Sequence, residues 1–542
     1  NMNHVQINAI LYVLRQHKCL VKLPKDARSL LKTPRHRILP RIVNPGEYIH
    51  IGIKPNILNM LSKTADTDIP STILFDFSTD GANIYKNVQY DIYPIQFRIF
   101  NIPDRSPMIA GLYAGKKKPA NFADFLEDFN EELLDLIREG ICYKNRIIKL
   151  KVRCFIADTP ARADCLNIVG HTGFNSCHKC KIPCERRKTD SSVIFKGENY
   201  PARNDNDFRQ LKNPEHHRGK SALDSLPLGP VSQTPHDYMH LVCLGLMKKI
   251  FEALIEGKFQ SKKLSPDVIL RISDRLITLA EYCPKEFSRK PRSLNYLHRF
   301  KATEYRQFLL YTGPTIMLDL FGEDKRIKHF LKLHYAIRIL ISFNERSMSE
   351  IGMAEDILRK FVSESADIYG RRFLSYNTHG LLHLTNDARN FGPLDHFSCF
   401  PFENNMTFFR KMVRKPSQEL QQIYKRFEEK KCRQPSLQIS STKVAHAFNA
   451  KRNGPLVQSS DHRITKQFSS IKFRGFTYDL NKRNNCCISF DSNVYILKNI
   501  LYVNDTNNYH LEVQKFQEVD SLYNVDDLDS RKIGIFKCSK LS

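Results

Sequence analysis

Apolar residues in the first third of the chain recur at the spacing typical of short β-strands. Three such runs, TILFDFS, PIQFRIF and PMIAGLYAG, lie within residues 71–115 and predict three strands. The polar turn Asp80-Gly81-Ala82-Asn83 separates the first two runs. It predicts a hairpin at the start of a strand meander.

The hydrophobic period then changes to that of a helix. Residues 121–139 place apolar side chains on one helical face and acidic side chains on the other, and Gly140 predicts the end of this helix. The next run, RIIKLKVRCFIA, predicts a strand that leads into Asp158. Three strands, a helix and a further strand indicate a mixed α/β fold. The acidic helix face is expected to point away from any nucleic acid.

The remaining chain divides by pattern into further segments. Five helical runs between about residues 235 and 370 predict a separate helical unit, and residues 376–431 return to a polar loop and a long helix containing Glu403. Residues 432–542 are polar and strand-prone. The predicted boundaries are 1–70 for a basic flank, 71–176 and 371–431 for two parts of one core, 177–370 for a cysteine-rich loop with a helical insertion, and 432–542 for a C-terminal module.

Charge adds the strongest global information. The 542 residues include 84 Lys and Arg against 57 Asp and Glu, a net charge of +27. Such an excess favours a polyanionic partner, and the alternative is a basic surface that only improves solubility. Nine of these cations lie in residues 15–41, which predicts either a DNA-contacting arm or a flexible flank.

Several classes of protein are excluded by composition and by missing motifs. The 41% hydrophobic content excludes a disordered or collagen-like chain. No apolar run is long enough for a bilayer, and the first twenty residues lack the layout of a signal peptide. The fourteen scattered cysteines indicate thiols or metal ligands in a reducing compartment. Phosphate-binding loops, dinucleotide fingerprints and hydrolase elbows are absent from the sequence.

A cysteine knuckle predicts a structural zinc site. Cys177 and Cys180 form a C-x-x-C pair, which presents two thiolates to one tetrahedral ion. His236 and His240 are expected to share one face of a following helix and to supply the other two ligands. Cys184 and His171 are possible substitutes, and ordinary core cysteines and histidines are the alternative interpretation.

Three carboxylates predict a second kind of metal site. Asp80 and Asp158 each follow a predicted strand, and Glu403 begins a predicted helix. Two-metal phosphodiester chemistry needs a few carboxylates that converge on two divalent cations. Taken alone, residues so distant in sequence are more often surface charges.

Basic and imidazole side chains flank Glu403. The helix that contains Glu403 is expected to continue through four cations that could hold phosphates, and an exposed basic helix face is the alternative. These cations are Arg410, Lys411, Arg414 and Lys415. His379 and His383, spaced i and i+4, either lie near a metal site or pack as ordinary helix residues.

Several segments, in this order, resemble the transposase domain of the CACTA (En/Spm-like) superfamily of DNA transposons, and its invertebrate branch in particular. The similarity covers roughly residues 20–430. The matching segments are Asp80-Gly81, NIPDRSPMIAGLYAGKKKPAN, FIADTPARADCLNIVGHTGFNSCHKC, EHHRGKSALDSLP, DYMHLVCLGLMKK and YNTHGLLHLTNDARNFGPLDHFSCFPFENNM.

The resemblance implies an RNase H-like core whose Asp-Asp-Glu triad is Asp80, Asp158 and Glu403. It implies two Mg²⁺ or Mn²⁺ ions at the triad and a structural Zn²⁺ at Cys177, Cys180 and His240, with His236 or Asp237 as the fourth ligand. The implied function is hydrolysis and strand transfer at transposon ends in the nucleus, on double-stranded DNA, by a homo-oligomer and without a membrane. Two alternatives remain open, a domesticated or degenerate descendant that binds DNA without cutting it and a zinc-stabilised interaction scaffold.

Overall fold

A computed structural model describes most of the chain. The described residues are 2–85, 87–186, 192–321, 324–342, 347–433, 445–450, 464–473, 476–489, 493–503 and 508–541. No helix in these ranges combines the length and the apolar character needed to cross a membrane. Every cysteine within the ranges whose side chain is described is a free thiol.

The strands are short and fall into an early and a late group. In chain order they are β1 Arg41–Val43, β2 Gly46–His50, β3 Thr72–Thr79, β4 Ala82–Asn83, β5 Asp91–Ile99, β6 Met108–Gly115, β7 Ile141–Tyr143, β8 Arg146–Phe155, β9 Glu185–Arg186, β10 Val193–Ile194, β11 Ala445–Ala450, β12 Ile464–Phe473, β13 Phe476–Asp479, β14 Cys486–Ile488, β15 Val494–Val503, β16 Asn508–Ser521, β17 Asn524–Val525, β18 Leu528–Asp529 and β19 Phe536–Leu541.

Most helices lie between the two groups of strands. In chain order they are α1 His4–Leu14, α2 Ala27–Leu30, α3 Lys54–Leu61, α4 Phe122–Glu139, α5 Thr159–Leu166, α6 Asp205–Arg209, α7 Lys248–Phe251, α8 Pro266–Leu279, α9 Ala302–Gln307, α10 Gly313–Phe321, α11 Lys325–Ile341, α12 Met348–Tyr369, α13 Tyr376–Phe391, α14 Phe400–Met412 and α15 Glu419–Arg433. Wider π-helical turns occur at Met239–Met247, Glu252–Glu256 and Phe308–Thr312.

The chain folds into two compact units. Unit 1 comprises Asn1–Lys181, Pro201–Asp237 and Phe397–Ile439, and unit 2 comprises Ile182–Tyr200, Tyr238–His396 and Ser440–Ser542. The chain therefore leaves unit 1 after Asp237 and returns to it at Phe397. The five boundaries predicted from the sequence are finer than this division and stay predictions.

A mixed sheet forms the centre of unit 1, as the sequence predicted for the fold class. In the described residues its order is β1-β2-β6-β5-β3-β8-β7, and β4 pairs with β5. Strands β3, β5 and β6 are the predicted meander and pair antiparallel, whereas β8 lies parallel to β3. The helix α4 connects β6 to the β7–β8 hairpin, which returns the chain to the other side of β3.

Alternation along the strands divides the side chains of the sheet between two cores. On one face the predicted apolar stripe of α4, including Phe125 and Phe129, packs against Phe75, Phe77 and other strand residues. On the opposite face Ile92, Leu112 and their neighbours pack against α14 and α15. The helix that contains Glu403 and the acidic helix α4 therefore cover opposite faces of one sheet.

A buried ion triad joins the three central strands. Asp76 of β3 is fully buried. Its carboxylate accepts from Arg98 Nε of β5 at 3.0 Å and from Arg153 Nε and Nη2 of β8, each at 2.6 Å. Arg153 lies 3.7 Å from the ring centroid of Phe100, and Arg105 lies 4.4 Å from the same centroid. The triad ties β3 to both of its neighbours through one carboxylate.

Unit 2 combines the predicted helices with the predicted C-terminal strands. Helices α11, α12 and α13 pack against one another in sequence order. The strands pair antiparallel in the order β11-β12-β15-β16-β19 within the described residues. Both the helical and the strand-prone assignments made from the hydrophobic pattern are confirmed.

The triad generates a prediction about stability. Replacing Asp76 with Ala leaves Arg98 and Arg153 buried without a counter-charge, and breaking a buried pair in this way costs about 3–5 kcal/mol. We expect the free energy of unfolding, measured by urea denaturation, to fall by that amount. Asp66→Ala removes the exposed partner of Lys144 and should change it little. Equal losses for both variants would contradict a structural role of the triad.

Candidate active site

Asp80 and Asp158 lie at the same end of two adjacent parallel strands. In the β3–β8 ladder Phe77 is opposite Phe155, and the Ile156 N–H donates to the Phe77 carbonyl at 2.9 Å. Each aspartate lies three residues beyond its paired phenylalanine. Because parallel strands end at the same edge of a sheet, both carboxylates are brought to one edge.

Local hydrogen bonds orient both aspartates. Asp80 Oδ1 accepts from the Gly81 N–H at 2.6 Å. Asp158 Oδ1 accepts from the Ala161 N–H at 2.7 Å, and Asp158 is the N-cap residue of α5. Both side chains are half-buried.

The ring of Tyr93 lies between the strand end and the turn after it. A Cβ at Gly81 would lie 2.3 Å from Cζ of this ring, so a larger residue next to Asp80 would force the ring to move. Burial raises the pKa of the Tyr93 phenol, and the charges of Asp91, Asp80, Asp164 and Asp158 raise it further. The charges of both candidate aspartates therefore raise the pKa of the same phenol.

Glu403 lies in the first turn of α14, as the sequence predicted for the start of this helix. Pro401 occupies the start of the helix, where its missing N–H costs no hydrogen bond. Gln96 of β5 donates to the Phe402 carbonyl at 3.3 Å and accepts from Asn405 Nδ2 at 2.8 Å. The helix is thereby attached to the strand next to β3, and Glu403 is half-buried.

Several carboxylates affect the pKa of the buried Cys399 thiol. Burial raises its pKa well above the ordinary range, and four carboxylates raise it further, in the order Asp237, Asp158, Asp80 and Glu403. The three residues predicted from the sequence thus act electrostatically on one buried sulfur. Burial and these negative charges both favour the protonated thiol.

Asp237 is a further acidic member of this site. It is buried, and its Oδ1 accepts from the Cys399 N–H at 2.7 Å. Sequence analysis considered Asp237 only as an alternative zinc ligand. Because it follows no strand and begins no regular α-helix, the strand–Asp and helix–Glu patterns could not identify it.

The three predicted carboxylates do not form a ligand group for a single ion. Among the described residues, the oxygens of Asp80, Asp158 and Glu403 do not form a group in which all lie within 4.8 Å of one another. Two catalytic cations about 3.5–4 Å apart draw ligands from a wider region than one coordination sphere. Carboxylate oxygens are also the ligands that Mg²⁺ prefers. The residue types present, three carboxylates, are therefore chemically compatible with hard divalent cations.

The cysteine knuckle has the geometry of half a zinc site. The sulfurs of Cys177 and Cys180 are 3.7 Å apart and buried. Two thiolates at about 2.3 Å from one tetrahedral zinc would be about 3.8 Å apart. Arg203 Nε donates to the Cys177 carbonyl at 3.0 Å, which holds the loop in place. His178 lies between the cysteines, and its Nε2 is 2.9 Å from the Thr234 carbonyl oxygen. Because a carbonyl oxygen only accepts, His178 donates this hydrogen bond through Nε2.

The helical face expected for His236 and His240 is wrong. His236 and Asp237 precede the helix, which begins at Tyr238 and continues as the π-helical segment Met239–Met247. Gln233 is bound to β8 by hydrogen bonds to the Val152 and Arg153 carbonyls at 2.9 and 3.1 Å, and this keeps the following residues extended. The His236 ring instead packs 4.6 Å from the His178 ring.

The i, i+4 histidine pair of unit 2 does share one helical face. His379 and His383 lie on α13, and their Nε2 atoms are 3.2 Å apart. Zinc–nitrogen bonds of about 2.0–2.1 Å would place two tetrahedral ligands about 3.3–3.4 Å apart. Phe195 stacks on His379 with ring centroids 5.7 Å apart. This pair has the spacing of a chelate, which the sequence interpretation left open against simple packing.

Of the suggested substitutes, His171 lies near an aspartate of the acidic site. Burial lowers the pKa of His171, the charge of Asp158 raises it and Arg162 lowers it. The Cys184 sulfur lies 4.0 Å from the Ile182 carbonyl oxygen.

The basic helix after Glu403 is shorter than expected. α14 ends at Met412, so only Arg410 and Lys411 lie on it, and the placement of Arg414 and Lys415 on the same helix is wrong. Pro416 accounts for the difference, because the residue before a proline is disfavoured in the α conformation. Arg410 Nε donates to the Asn83 carbonyl at 3.0 Å, which places it at the turn that follows Asp80.

Comparison with known proteins adds one match. Residues 450–542 match a domain of unknown function, DUF8592. No curated protein is similar to the chain. The match lies in the C-terminal part of the chain and does not include the acidic site.

The acidic site generates a prediction about charge. In a chelator, Glu403→Gln should raise the free energy of unfolding by about 1 kcal/mol, because like charges around Cys399 repel one another. Urea denaturation with EDTA measures this difference. Glu131→Gln, on the exposed face of α4, serves as the matched control and should leave stability unchanged. A loss of stability in Glu403→Gln would contradict the repulsion.

Proposed function

We propose that this chain is a DNA transposase-like enzyme that hydrolyses phosphodiester bonds at transposon ends and transfers the freed strand. The observation that carries the proposal is geometric: Asp80 and Asp158 follow paired positions of two adjacent parallel strands, and Glu403 lies in the first turn of a helix attached to the next strand. Carboxylates that lie close together repel one another, and this repulsion destabilises the folded chain. Bound divalent cations would neutralise these charges, which would explain why the carboxylates are placed together.

The topology of unit 1 supports an RNase H-like core. Three antiparallel strands, β3, β5 and β6, are followed by α4 and by β8, which returns parallel to β3. The acidic residues follow β3 and β8 and begin α14, in the order strand–Asp, strand–Asp and helix–Glu. This is the order that the resemblance to CACTA transposases implies.

Each residue of the site has a distinct role in the proposed reaction. Mg²⁺ or Mn²⁺ bound at the carboxylates would activate the attacking oxygen and stabilise the leaving oxygen. Asp80 and Asp158 are oriented by the Gly81 and Ala161 N–H groups, which keeps one oxygen of each in a fixed direction. Arg410, beside the turn after Asp80, is placed to contact a substrate phosphate.

We also propose that Cys177 and Cys180 bind a structural Zn²⁺. Their sulfur separation of 3.7 Å supports this role. The candidates for the imidazole ligands are His236 and His240, as the resemblance implies. Double-stranded DNA as substrate, self-association on DNA and a nuclear location follow from the proposed reaction.

Cleavage of DNA tests the proposed reaction. With Mn²⁺ or Mg²⁺ the full chain should nick a supercoiled plasmid, and EDTA should abolish nicking. Asp158→Asn keeps an oxygen that can cap α5 but removes the charge. We expect this variant to lose nicking by about a thousandfold or more, because the metals lose an anionic ligand. Its DNA affinity should stay close to that of the parent.

Asp135→Asn, on the exposed face of α4, is the matched control and should nick normally. Metal-independent nicking, or full activity of Asp158→Asn, would contradict the proposal. DNA binding without nicking by the parent chain would instead favour the non-cutting descendant.

Zinc content tests the cysteine site. The purified chain should contain zinc, and Cys177→Ser combined with Cys180→Ser should remove it and lower the melting temperature, because metal binding contributes to folding. Cys19→Ser with Cys142→Ser replaces two exposed thiols and should leave zinc content unchanged. Elemental analysis of these variants and of His236→Ala and His240→Ala identifies the ligands. Full zinc content without Cys177 and Cys180 would exclude them.

A further inference from the structure

A basic groove lies in unit 1, between the N-terminal region and α15. Its volume is about 870 Å³. Lys and Arg side chains line both of its walls. They are Arg28, Lys32 and Arg35 on the N-terminal wall and Lys425 and Arg426 on α15.

Specific contacts hold the two walls together. The Thr33 hydroxyl donates to the Glu429 carboxylate, and the Ile38 N–H donates to Gln421 Oε1 at 2.8 Å. On the N-terminal side, the Ala27 N–H donates to Asn8 Oδ1 at 2.7 Å, which ties α2 to α1. The groove is therefore formed by specific contacts between two segments of unit 1.

The two carboxylates of the groove are engaged within the protein. Asp26 caps α2 and accepts from the N–H groups of Arg28 and Ser29 at 2.8 and 3.0 Å. Glu429 accepts from Thr33. Five cations thus face two carboxylates, so positive charge remains in excess in the groove. Gathering like charges destabilises a fold, and an anion in the groove would relieve the repulsion.

We propose that this groove binds the sugar–phosphate backbone of double-stranded DNA. This inference rests on the proposed function, since it names a second surface on which the same substrate would lie. Arg28, Lys32 and Arg35 are exposed, and Lys425 and Arg426 are partly exposed, so the cations can reach a polyanion. Phosphate contacts of this kind position DNA without reading its sequence.

The lining of the groove favours DNA over an anionic membrane. Apart from the ring of Pro34, the lining side chains are polar or charged. Binding to a membrane surface usually adds apolar or aromatic side chains that enter the lipid. The groove offers none of these, whereas several cations on two walls suit a chain of phosphates.

Salt-dependent binding tests the groove. The groove variant is the full chain with Arg28→Gln, Lys32→Gln and Lys425→Gln, and the control is Lys54→Gln, Arg138→Gln and Lys144→Gln, three exposed cations outside the groove. Fluorescence anisotropy with a labelled duplex of about 30 base pairs, in EDTA, gives affinity against salt. Each lost phosphate contact lowers the slope of log affinity against log salt by about 0.9. We expect the groove variant to lose about two to three units and the control to lose none.

The outcomes separate the groove from the proposed reaction. An unchanged slope, an equal loss in the control, or a selective loss of binding to phosphatidylserine vesicles would overturn the groove. If the parent chain never nicks DNA but the groove variant alone loses its salt slope, the groove stands and the proposed reaction fails. If Asp158→Asn abolishes nicking while the groove variant binds like the parent, the reaction stands and the groove fails. Circular dichroism melts of both triple variants exclude misfolding as the cause.

Discussion

The buried pairing of Asp76 with Arg98 and Arg153 is the interaction on which the candidate active site depends. The triad joins β3, β5 and β8. Two of these strands lead to Asp80 and Asp158, and the third holds the helix of Glu403. The Arg98 guanidinium also lies 5.5 Å from the Phe402 ring centroid, so the triad contacts the start of α14 directly. Such a pair adds little net stability but fixes the register of the groups it joins.

Electrostatics divides unit 1 into regions of opposite character. One end of the sheet gathers carboxylates around Cys399, the outer face of α4 is acidic, and the groove along α15 is basic. A local excess of charge of one sign raises the free energy of the folded chain, and a bound counter-ion lowers it again. Divalent cations and a polyanion would relieve the acidic site and the groove, respectively. A protein that uses both would be more stable with its ligands than without them.

The elements that sequence analysis predicted correctly are those set by local pattern. The three strands of the meander, the amphipathic helix α4 and the positions of Asp80, Asp158 and Glu403 all follow from hydrophobic period and turn residues. The end of α14 was missed although Pro416 signals it. The start of the helix after Asp237 depends on hydrogen bonds from Gln233 to β8, which no local pattern contains. The triad and the groove were missed for the same reason, because each joins residues far apart in the chain.

Asp158 has two roles, and each of them alone is a reason for the residue to be conserved. Its carboxylate is a candidate metal ligand and also the N-cap of α5, whose loss costs about 1 kcal/mol. Gly81 likewise leaves room for the ring of Tyr93, whatever the chemistry of Asp80. A related chain in which the acidic site binds no metal would therefore still be selected to keep both residues as long as it has to fold. Conservation of Asp158 and Gly81 among related chains would therefore reflect selection for folding as much as selection for catalysis.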